Sequence, residues 1–376
     1  HAPGLTETEL AAYAAAGARS DHECATPSEA LARLRQGIYV MLREGTAAKN
    51  LLDLLPVVDR YTARWCLLAT DDRHPADLIG LGHINHMVRL AVGSGTDAAT
   101  VLQMATINAA GYLGIRDLGA IAPGYRADLL VFENLTEWQP SQVYKEGRLV
   151  AEKGRSLFMP PVSEKNDMVR RTMRLGEVNG AVLKIPASSP KARVIGLTPH
   201  QLATAMLEMP VSVVDGGFVA DPAQDIAKIA VFERHRGSGK VGVGLVKGFG
   251  LTEGALASTV AHDSHNLIVV GTSDTDMLLA AREVEKMQGG LAIVRHGTVL
   301  GALALPLGGL MSEQDIYTVQ SELAELHRLA RNLGIPDGQD PFMNLAFLSL
   351  PVIPDLKITD QGLVDVRKFA IVPVSL

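Results

Sequence analysis

An uninterrupted apolar run that ends in charged residues is the feature that most constrains how this chain can fold. Residues 65–70 have the composition of a strand that is buried on both faces, as in a parallel sheet. Asp71 and Asp72 follow directly, and two helical segments come next, at about 76–93 and 97–113. Such strand–loop–helix units predict an α/β fold whose chemistry lies at the carboxyl ends of parallel strands.

The first quarter of the chain repeats this pattern. Residues 18–20 lead into Asp21-His22-Glu23, which is therefore a second candidate strand end. A capping box formed by Thr26 and Glu29 then predicts the start of a helix. Apolar residues continue at helical spacing and predict that this helix ends near Gly45: Leu31, Leu34, Ile38, Met41 and Leu42. Residues 47–58 predict a shorter helix.

The character of the chain changes near Gly114. A turn-rich stretch, 119–128, leads into a predicted strand at 129–132, and Glu146-Gly147-Arg148 predicts the turn of a hairpin. Residues 156–166 resemble a linker. Beyond it we expect a second α/β region with strands near 192–197, 211–214, 226–233, 240–246, 267–271 and 291–295 and helices at 274–288 and 312–333.

Composition excludes several classes of protein. The 35 basic and 41 acidic residues give a net charge of -6, which argues against a nucleic-acid-binding surface. The apolar runs are too short for a membrane span. Two cysteines, Cys24 and Cys66, are too few for a disulfide framework or for the cysteine-rich zinc site of nucleobase deaminases. The mean hydropathy of +0.15 makes a homo-oligomer a reasonable expectation.

Histidines and carboxylates gather in short clusters, and these are the ligands of a divalent metal where sulfur is absent. Each cluster also has a structural explanation, as a solvated turn, a helix cap or a surface pair. Ser264 and His265 lack a nucleophile elbow, and residues 237–240 lack the spacing of a phosphate-binding loop. The clusters are His1, Asp21-His22-Glu23, Asp71-Asp72-Arg73-His74, His83 with His86, and His262-Asp263-Ser264-His265-Asn266.

Taken together, these stretches identify the chain as similar to the amidohydrolase superfamily, and closely similar to bacterial-type adenine deaminases. The resemblance covers essentially all 376 residues. It rests on residues 1–4, 20–24, 70–75 with 82–86, 119–128, 261–266 and 341–344 with 350–354. It implies a partial TIM-like (β/α) metal-dependent hydrolase barrel at 1–115, a small β-domain segment at 116–158, and an adenine-deaminase-type C-terminal α/β domain at 167–376.

The resemblance also implies a function and a set of site residues. The expected activity is hydrolysis of adenine to hypoxanthine and ammonia, in purine salvage or adenine catabolism in the cytoplasm, by a binuclear manganese or iron centre. His1, His22 and Asp71 would bind metal, and Asp71 would also move protons as the catalytic residue. Substrate-binding roles would fall to Glu23, Asp72, Arg73 and His265, with no part for nucleic acid or membrane.

One part of the family pattern is missing from this sequence. The metal ligands that the family carries as an HxH pair and a bridging glutamate have no counterpart here, and nothing precedes His1. We therefore expect this chain to resemble the C-terminal part of a longer enzyme and to be inactive alone. The alternatives are another amidohydrolase, acting on a cyclic amide or N-acyl substrate, and a non-catalytic remnant that serves as a binding module.

Overall fold

A computed structural model describes Ala2 and residues 4–159, 168–198 and 203–376. The chain divides into two compact units, His1–Val162 and Ser163–Leu376. His1 and most of the linker predicted at 156–166 lie outside the described residues. None of the helices within the described residues is long and apolar enough to cross a membrane.

The first unit combines short helices with two small sheets. Single 3₁₀ turns at Leu55–Val57 and Ala63–Trp65 precede its third strand. Its helices are α1 (Glu7–Ala15), α2 (Pro27–Arg35), α3 (Leu51–Leu54), α4 (Pro75–Gly80), α5 (Ile84–Gly93), α6 (Ala98–Ala105) and α7 (Ile107–Tyr112). Its strands are β1 (Ser20–Asp21), β2 (Tyr39–Arg43), β3 (Cys66–Ala69), β4 (Leu129–Val131), β5 (Gln142–Lys145), β6 (Arg148–Glu152) and β7 (Arg155–Ser156).

The three strands β1, β2 and β3 form a parallel sheet in that order. In its register Asp21 lies opposite Val40, and Arg43 lies opposite Ala69, so the carboxyl ends of the strands face the same way. The strands β2 and β3 and the helices α2, α3, α5 and α6 supply side chains to one apolar cluster. The predicted parallel sheet with a helix after each strand is confirmed.

One prediction for this unit is wrong. The helix that begins at the capping box of Thr26 ends at Arg35, and residues Tyr39–Arg43 form β2 instead of continuing it to Gly45. Gly37 has a φ of +72°, a left-handed conformation that ends a helix and that glycine adopts without strain. Alternate residues of β2 are buried, as is typical of a strand. The apolar residues that matched a helical spacing in the sequence therefore belong to a strand.

A four-stranded antiparallel sheet, β4–β5–β6–β7, closes the first unit. The hairpin predicted around Glu146 and Gly147 is present between β5 and β6. The helices predicted at 76–93 and 97–113 are each divided in two, at Leu81–His83 and at Thr106.

The second unit contains a mixed sheet of eight strands in the order β10–β9–β14–β13–β16–β15–β17–β18. Neighbours are antiparallel except β9 and β14, which are parallel. Its helices are α8 (Asp274–Lys286), α9 (Ile316–Asn332) and α10 (Pro341–Leu348), with 3₁₀ turns at Gly180–Leu183 and Pro222–Gln224. The sheet strands are β9 (Lys191–Leu197), β10 (Thr204–Pro210), β13 (Ile226–Phe232), β14 (Val241–Lys247), β15 (Ala255–Ser258), β16 (Leu267–Gly271), β17 (Gly290–Arg295) and β18 (Thr298–Ala304).

Two three-stranded sheets complete this unit, in the orders β11–β12–β8 and β19–β20–β21. They comprise β8 (Ile185–Pro186), β11 (Val213–Val214), β12 (Gly217–Phe218), β19 (Leu356–Thr359), β20 (Gly362–Asp365) and β21 (Ala370–Val372). The central strands β13 and β16 are buried along their whole length, because helices and further strands cover both faces of the large sheet. The α/β class is confirmed for the chain.

Candidate active site at the carboxyl edge of the parallel sheet

The carboxyl ends of β1 and β3 bring together two of the predicted metal ligands. His22 follows β1 directly, and Asp71 lies two residues beyond the end of β3. Nε2 of His22 lies 3.8 Å from Oδ2 of Asp71, and about a quarter to a third of each side chain is exposed. Residues 49 positions apart in the sequence thus meet at one accessible edge, as the parallel-strand pattern predicts.

The backbone of Asp71 adopts an unusual conformation at this edge. Its φ is +56°, in the left-handed region that a residue with a Cβ seldom occupies outside turns and functional sites. Nη1 of Arg43, the last residue of β2, donates a hydrogen bond to Oδ2 of Asp71 at 2.8 Å. Arg43 is nearly buried, so its charge acts on Asp71 with less screening than at an open surface.

A buried ion pair fixes the loop that carries His22. Asp21 and Arg33 are 1% and 2% exposed, and Nε of Arg33 donates to Oδ2 of Asp21 at 2.9 Å. Burial alone would raise the pKa of Asp21, but the backbone N–H of Glu23 and the Arg33 guanidinium outweigh it and hold that pKa below its usual value. Arg33 also donates to the carbonyl oxygen of Ala2. The pair therefore ties α2 and the start of the described chain to the end of β1.

Arg73 presents donors that the described residues do not satisfy. Its Nη1 donates to the carbonyl oxygen of Glu44 at 2.7 Å, while Nε and Nη2 are buried and have no hydrogen-bond partner in the described part of the chain. Buried N–H groups of this kind are costly unless a ligand or water completes them. Glu44 itself is 6% exposed, and burial raises the pKa of its carboxyl group.

The other predicted site residues have mixed positions. Glu23 and Asp72 lie beside His22 and Asp71 at the same strand ends; the backbone carbonyl of Asp72 accepts a hydrogen bond from Thr46. His265 belongs to the second unit, where its Nδ1 accepts a hydrogen bond from the Ala261 N–H at 3.3 Å and its ring lies 5.9 Å from that of His262. His1 lies outside the described residues.

His83 is the N-cap of α5 and His86 lies in its first turn, and neither belongs to a group of metal-ligating side chains within the described residues. Nε2 of His83 lies 3.2 Å from the Thr70 hydroxyl, and Nδ1 of His86 lies 3.2 Å from Nη2 of Arg89. Burial lowers the pKa of both rings, and the nearby Arg73 charge lowers it further.

Sequence reasoning missed two residues of this edge, Arg43 and Glu44. Arg43 is the last residue of β2 and Glu44 follows it, and the helical spacing of the apolar residues here predicted a helix in place of this strand. The signal that could have revealed it is the basic last turn of α2 followed by Gly37 and then by the strand-forming run Ile38–Leu42, since such a turn and glycine are typical of a helix end.

The chain matches known protein families along nearly its whole length. Residues 1–178 match the family described as "Amidohydrolase family", and residues 201–370 match the family described as "Adenine deaminase C-terminal domain". Relatives align along the entire chain rather than along one of these parts. A protein named "Adenine deaminase 2" from Carboxydothermus hydrogenoformans is 62% identical over 377 residues, covering 100% of this chain. The chain therefore contains an amidohydrolase-family domain.

Other relatives agree with this assignment. An "Adenine deaminase" of Desulfatibacillum aliphaticivorans is 49% identical over 98% of the chain. The chain spans 66% and 64% of the lengths of these two relatives. A crystal structure of an amidohydrolase from Thermotoga maritima MSB8 aligns with 36% of this chain and 44% of the chain in that structure, at 21% sequence identity. The TM-score of this alignment is 0.25, which is too low to support a conclusion.

The donor set of this amidohydrolase edge fits a divalent metal in part. Two ligand atoms that each lie about 2.1 Å from one ion can be at most about 4.2 Å apart, so the 3.8 Å between His22 and Asp71 is compatible with a shared ion. Within the described residues, no group of three or more His, Cys, Asp or Glu side chains could hold a metal. His22 and Asp71 are therefore close enough to share an ion, but they would need further donors to hold one.

Proposed function

We propose that this chain forms the larger part of an adenine deaminase, which adds water to adenine and releases hypoxanthine and ammonia. The observation that carries the proposal is the 62% identity, along the whole chain, to a protein named Adenine deaminase 2. The convergence of His22 and Asp71 at one sheet edge supports it, because the reaction needs a metal ligand set and a proton carrier at the same place.

The metal would be held at the carboxyl edge of the parallel sheet. His22 and Asp71 would each provide one ligand, and His1 would provide another, in a binuclear manganese or iron centre. When bound, the metal supplies a water molecule whose pKa is lowered towards neutrality. His22 must be neutral to serve as a ligand, so activity should fall in acid solution.

The remaining chemistry belongs to residues of the chain. A carboxylate oxygen of Asp71 would accept a proton from the attacking water and deliver it to the exocyclic amino group, which leaves as ammonia. Arg43 holds that carboxylate through Oδ2 at 2.8 Å and so orients the proton carrier. An orientation fixed before the reaction removes part of its entropic cost.

Recognition of the purine would fall mainly to Arg73. Its Nε and Nη2 are buried donors without a partner among the described residues, and the ring nitrogens of adenine are acceptors. Glu23 and Asp72 would accept hydrogen bonds from the N–H groups of the base, and His265 is a further candidate contact. The expected homo-oligomer, the cytoplasmic location and the role in purine salvage stay predictions.

The proposal is tested with a fusion protein that joins this chain to the part of the Carboxydothermus hydrogenoformans relative that the chain does not match. With manganese or iron, it should convert adenine to hypoxanthine and release one ammonia for each adenine. Asp71→Asn should lower the rate by about 10²–10⁴-fold, the usual contribution of a positioned proton carrier. Ring opening of a cyclic amide without ammonia release from adenine would favour another amidohydrolase activity and contradict the proposal, as would a fusion protein inactive on adenine.

A further inference from the structure

The second unit contains a basic pocket of about 670 Å³, whose lining shares no residue with the sheet edge described above. We call it the arginine pocket. None of its lining residues is acidic, and four carry or can carry positive charge. The lining consists of Met168, Arg170, Arg171, Thr172, Arg174 and His235. A cleft lined by one sign of charge concentrates ligands of the opposite sign.

Most of the charge in this pocket is left uncompensated by the described residues. Arg170 forms an ion pair with Glu313. The side chains of Arg171 and Arg174 make neither an ion pair nor a hydrogen bond within the described parts of the chain, and both are exposed. Two guanidinium groups on one short segment repel each other, so an anion between them would lower the free energy of the folded protein.

The backbone that carries Thr172 and Arg174 is anchored to the core. Met173 and Leu175 are buried, and their N–H groups donate to the side chains of Gln288 and Glu285 at 3.3 and 2.9 Å. Side chains along this segment alternate between the core and the surface, so Thr172 and Arg174 lie on the side opposite to Met173 and Leu175. Thr172 lines the pocket, and its buried hydroxyl has no hydrogen-bond partner among the described residues.

His235 is fixed on the other wall by a hydrogen-bonded loop. The Glu233 carboxylate accepts hydrogen bonds from the N–H groups of His235, Arg236 and Ser238 and from the Ser238 hydroxyl. Burial opposes this charge, yet these donors together lower the pKa of Glu233 to about 2. The His235 ring is held in turn by Nε2, which lies 2.8 Å from the carbonyl oxygen of Ser264.

We propose that the arginine pocket binds a small phosphate-bearing molecule. Guanidinium groups match phosphate oxygens with paired hydrogen bonds, and the Thr172 hydroxyl adds a donor. The volume lies within the range of small-molecule sites, about 300–1,000 Å³, and so admits a nucleotide as well as inorganic phosphate. The net charge of -6 favours a small ligand over nucleic acid.

This pocket is independent of the phosphate-loop pattern that residues 237–240 fail to match. Lys240 does not line it, and recognition would come from side chains rather than from a glycine-rich backbone cradle. The proposal is also independent of adenine deamination, since none of the lining residues has a role at the edge of His22 and Asp71.

Calorimetric titration of the full chain with inorganic phosphate, pyrophosphate and adenosine monophosphate tests the proposal. We expect saturable binding of at least one, weakened by added salt. Arg174→Gln should weaken it about tenfold through loss of a charge-assisted hydrogen bond, and Arg171→Gln similarly. Arg236→Gln is the matched control: it removes the same charge from the same surface but not from the lining, and should change the affinity less than about twofold.

The comparison among ligands identifies the source of the phosphate. Tighter binding of adenosine monophosphate than of pyrophosphate would assign the pocket to a nucleotide, and the reverse order would assign it to an inorganic ion. Asp71→Asn should leave the affinity unchanged, which separates this proposal from the deaminase proposal. Absence of saturable binding, an equal effect of Arg236→Gln and Arg174→Gln, or tighter binding of a single-stranded oligonucleotide than of the nucleotide would overturn it.

Discussion

Arg43 donates a 2.8 Å hydrogen bond from Nη1 to Oδ2 of Asp71. The same oxygen lies 3.8 Å from Nε2 of His22, the other predicted metal ligand of this edge. The guanidinium group and a divalent cation would therefore act on one carboxylate oxygen, and each would lower the attraction that the other experiences there. Arg43 is thus placed to weaken metal binding while it orients the carboxylate.

The first prediction follows from this competition. Arg43→Gln removes the charge but keeps an N–H donor, so manganese should bind the fusion protein about threefold more tightly or better, because the repulsion between like charges is lost. Titration of Mn²⁺ followed by electron paramagnetic resonance measures the affinity. Arg43→Lys keeps the charge, so its affinity for manganese should stay close to that of the unsubstituted protein. Unchanged or weaker manganese binding in Arg43→Gln would contradict the competition.

A second prediction concerns the buried pair beneath His22. Asp21→Asn leaves the Arg33 charge buried without its counter-charge and should lower the free energy of unfolding by about 3–5 kcal/mol. Glu325→Gln is the control, because it breaks an exposed pair with Arg328 and should change the free energy of unfolding far less. Urea denaturation measures both. Equal losses in the two variants would show that the buried pair contributes no more than a surface pair.

The pH dependence of the same substitution has a defined sign. The pKa of Asp21 is lower in the folded protein, so its stabilisation is present above the ordinary carboxyl pKa, about 4, and is lost as the pH falls through the folded value. The difference in unfolding free energy between the unsubstituted protein and Asp21→Asn should therefore shrink below about pH 4.

Glu44 gives a third prediction, of opposite sign. Burial raises the pKa of its carboxyl group, so the folded state binds the proton more tightly than the unfolded state. Its ionised form costs stability, and the cost appears as the pH rises through the raised folded pKa. Glu44→Gln avoids this cost. Relative to the unsubstituted protein, the variant should therefore be more stable at pH 8 than at pH 4, with stability measured as the free energy of unfolding in urea. A difference that does not change with pH would contradict it.

A fourth prediction concerns the glycines of β14, which match no dinucleotide-binding pattern. A Cβ at Gly242 would lie 1.9 Å from the carbonyl oxygen of Thr359, a backbone atom at the end of β19. Gly242→Ala should therefore separate two sheets and cost several kcal/mol, on the order of the largest single-residue effects. Gly93→Ala, at a helical position with open space, should instead stabilise by about 0.5–1 kcal/mol. Similar melting temperatures for the two variants would refute the packing explanation.

The parallel strands, and the meeting of His22 and Asp71 at their carboxyl ends, could be predicted from the sequence. Both depend on the spacing of apolar residues and on the order of strands and helices along the chain. The apolar run at 65–70 and the polar residues after it have one favourable arrangement, a buried strand with an open end. The helices α8 and α9 and six strands of the second unit followed in the same way from period and turn residues: β9, β11, β13, β14, β16 and β17.

The remaining features depend on long-range packing. The strand β2 was concealed because its buried residues fit a helical spacing, and the hydrogen-bonded contacts with β1 and β3 on both sides favour the strand over the helix. Arg43 and Glu44 were missed with it. The left-handed φ of Asp71 and the pocket formed by Thr172, Arg174 and His235 depend on tertiary contacts that no local pattern of residues encodes.

Ammonia release from adenine, measured in the manganese-loaded fusion protein with His22→Ala, Asp71→Asn and His296→Gln side by side, tests the central claim most directly. His296 is an exposed histidine in the second unit, paired with Glu253, and its substitution controls for the loss of an imidazole group. Both edge variants should lose at least about 100-fold in rate and also lose bound manganese, while His296→Gln keeps both. Full activity and metal content in Asp71→Asn would contradict a catalytic metal site at this edge.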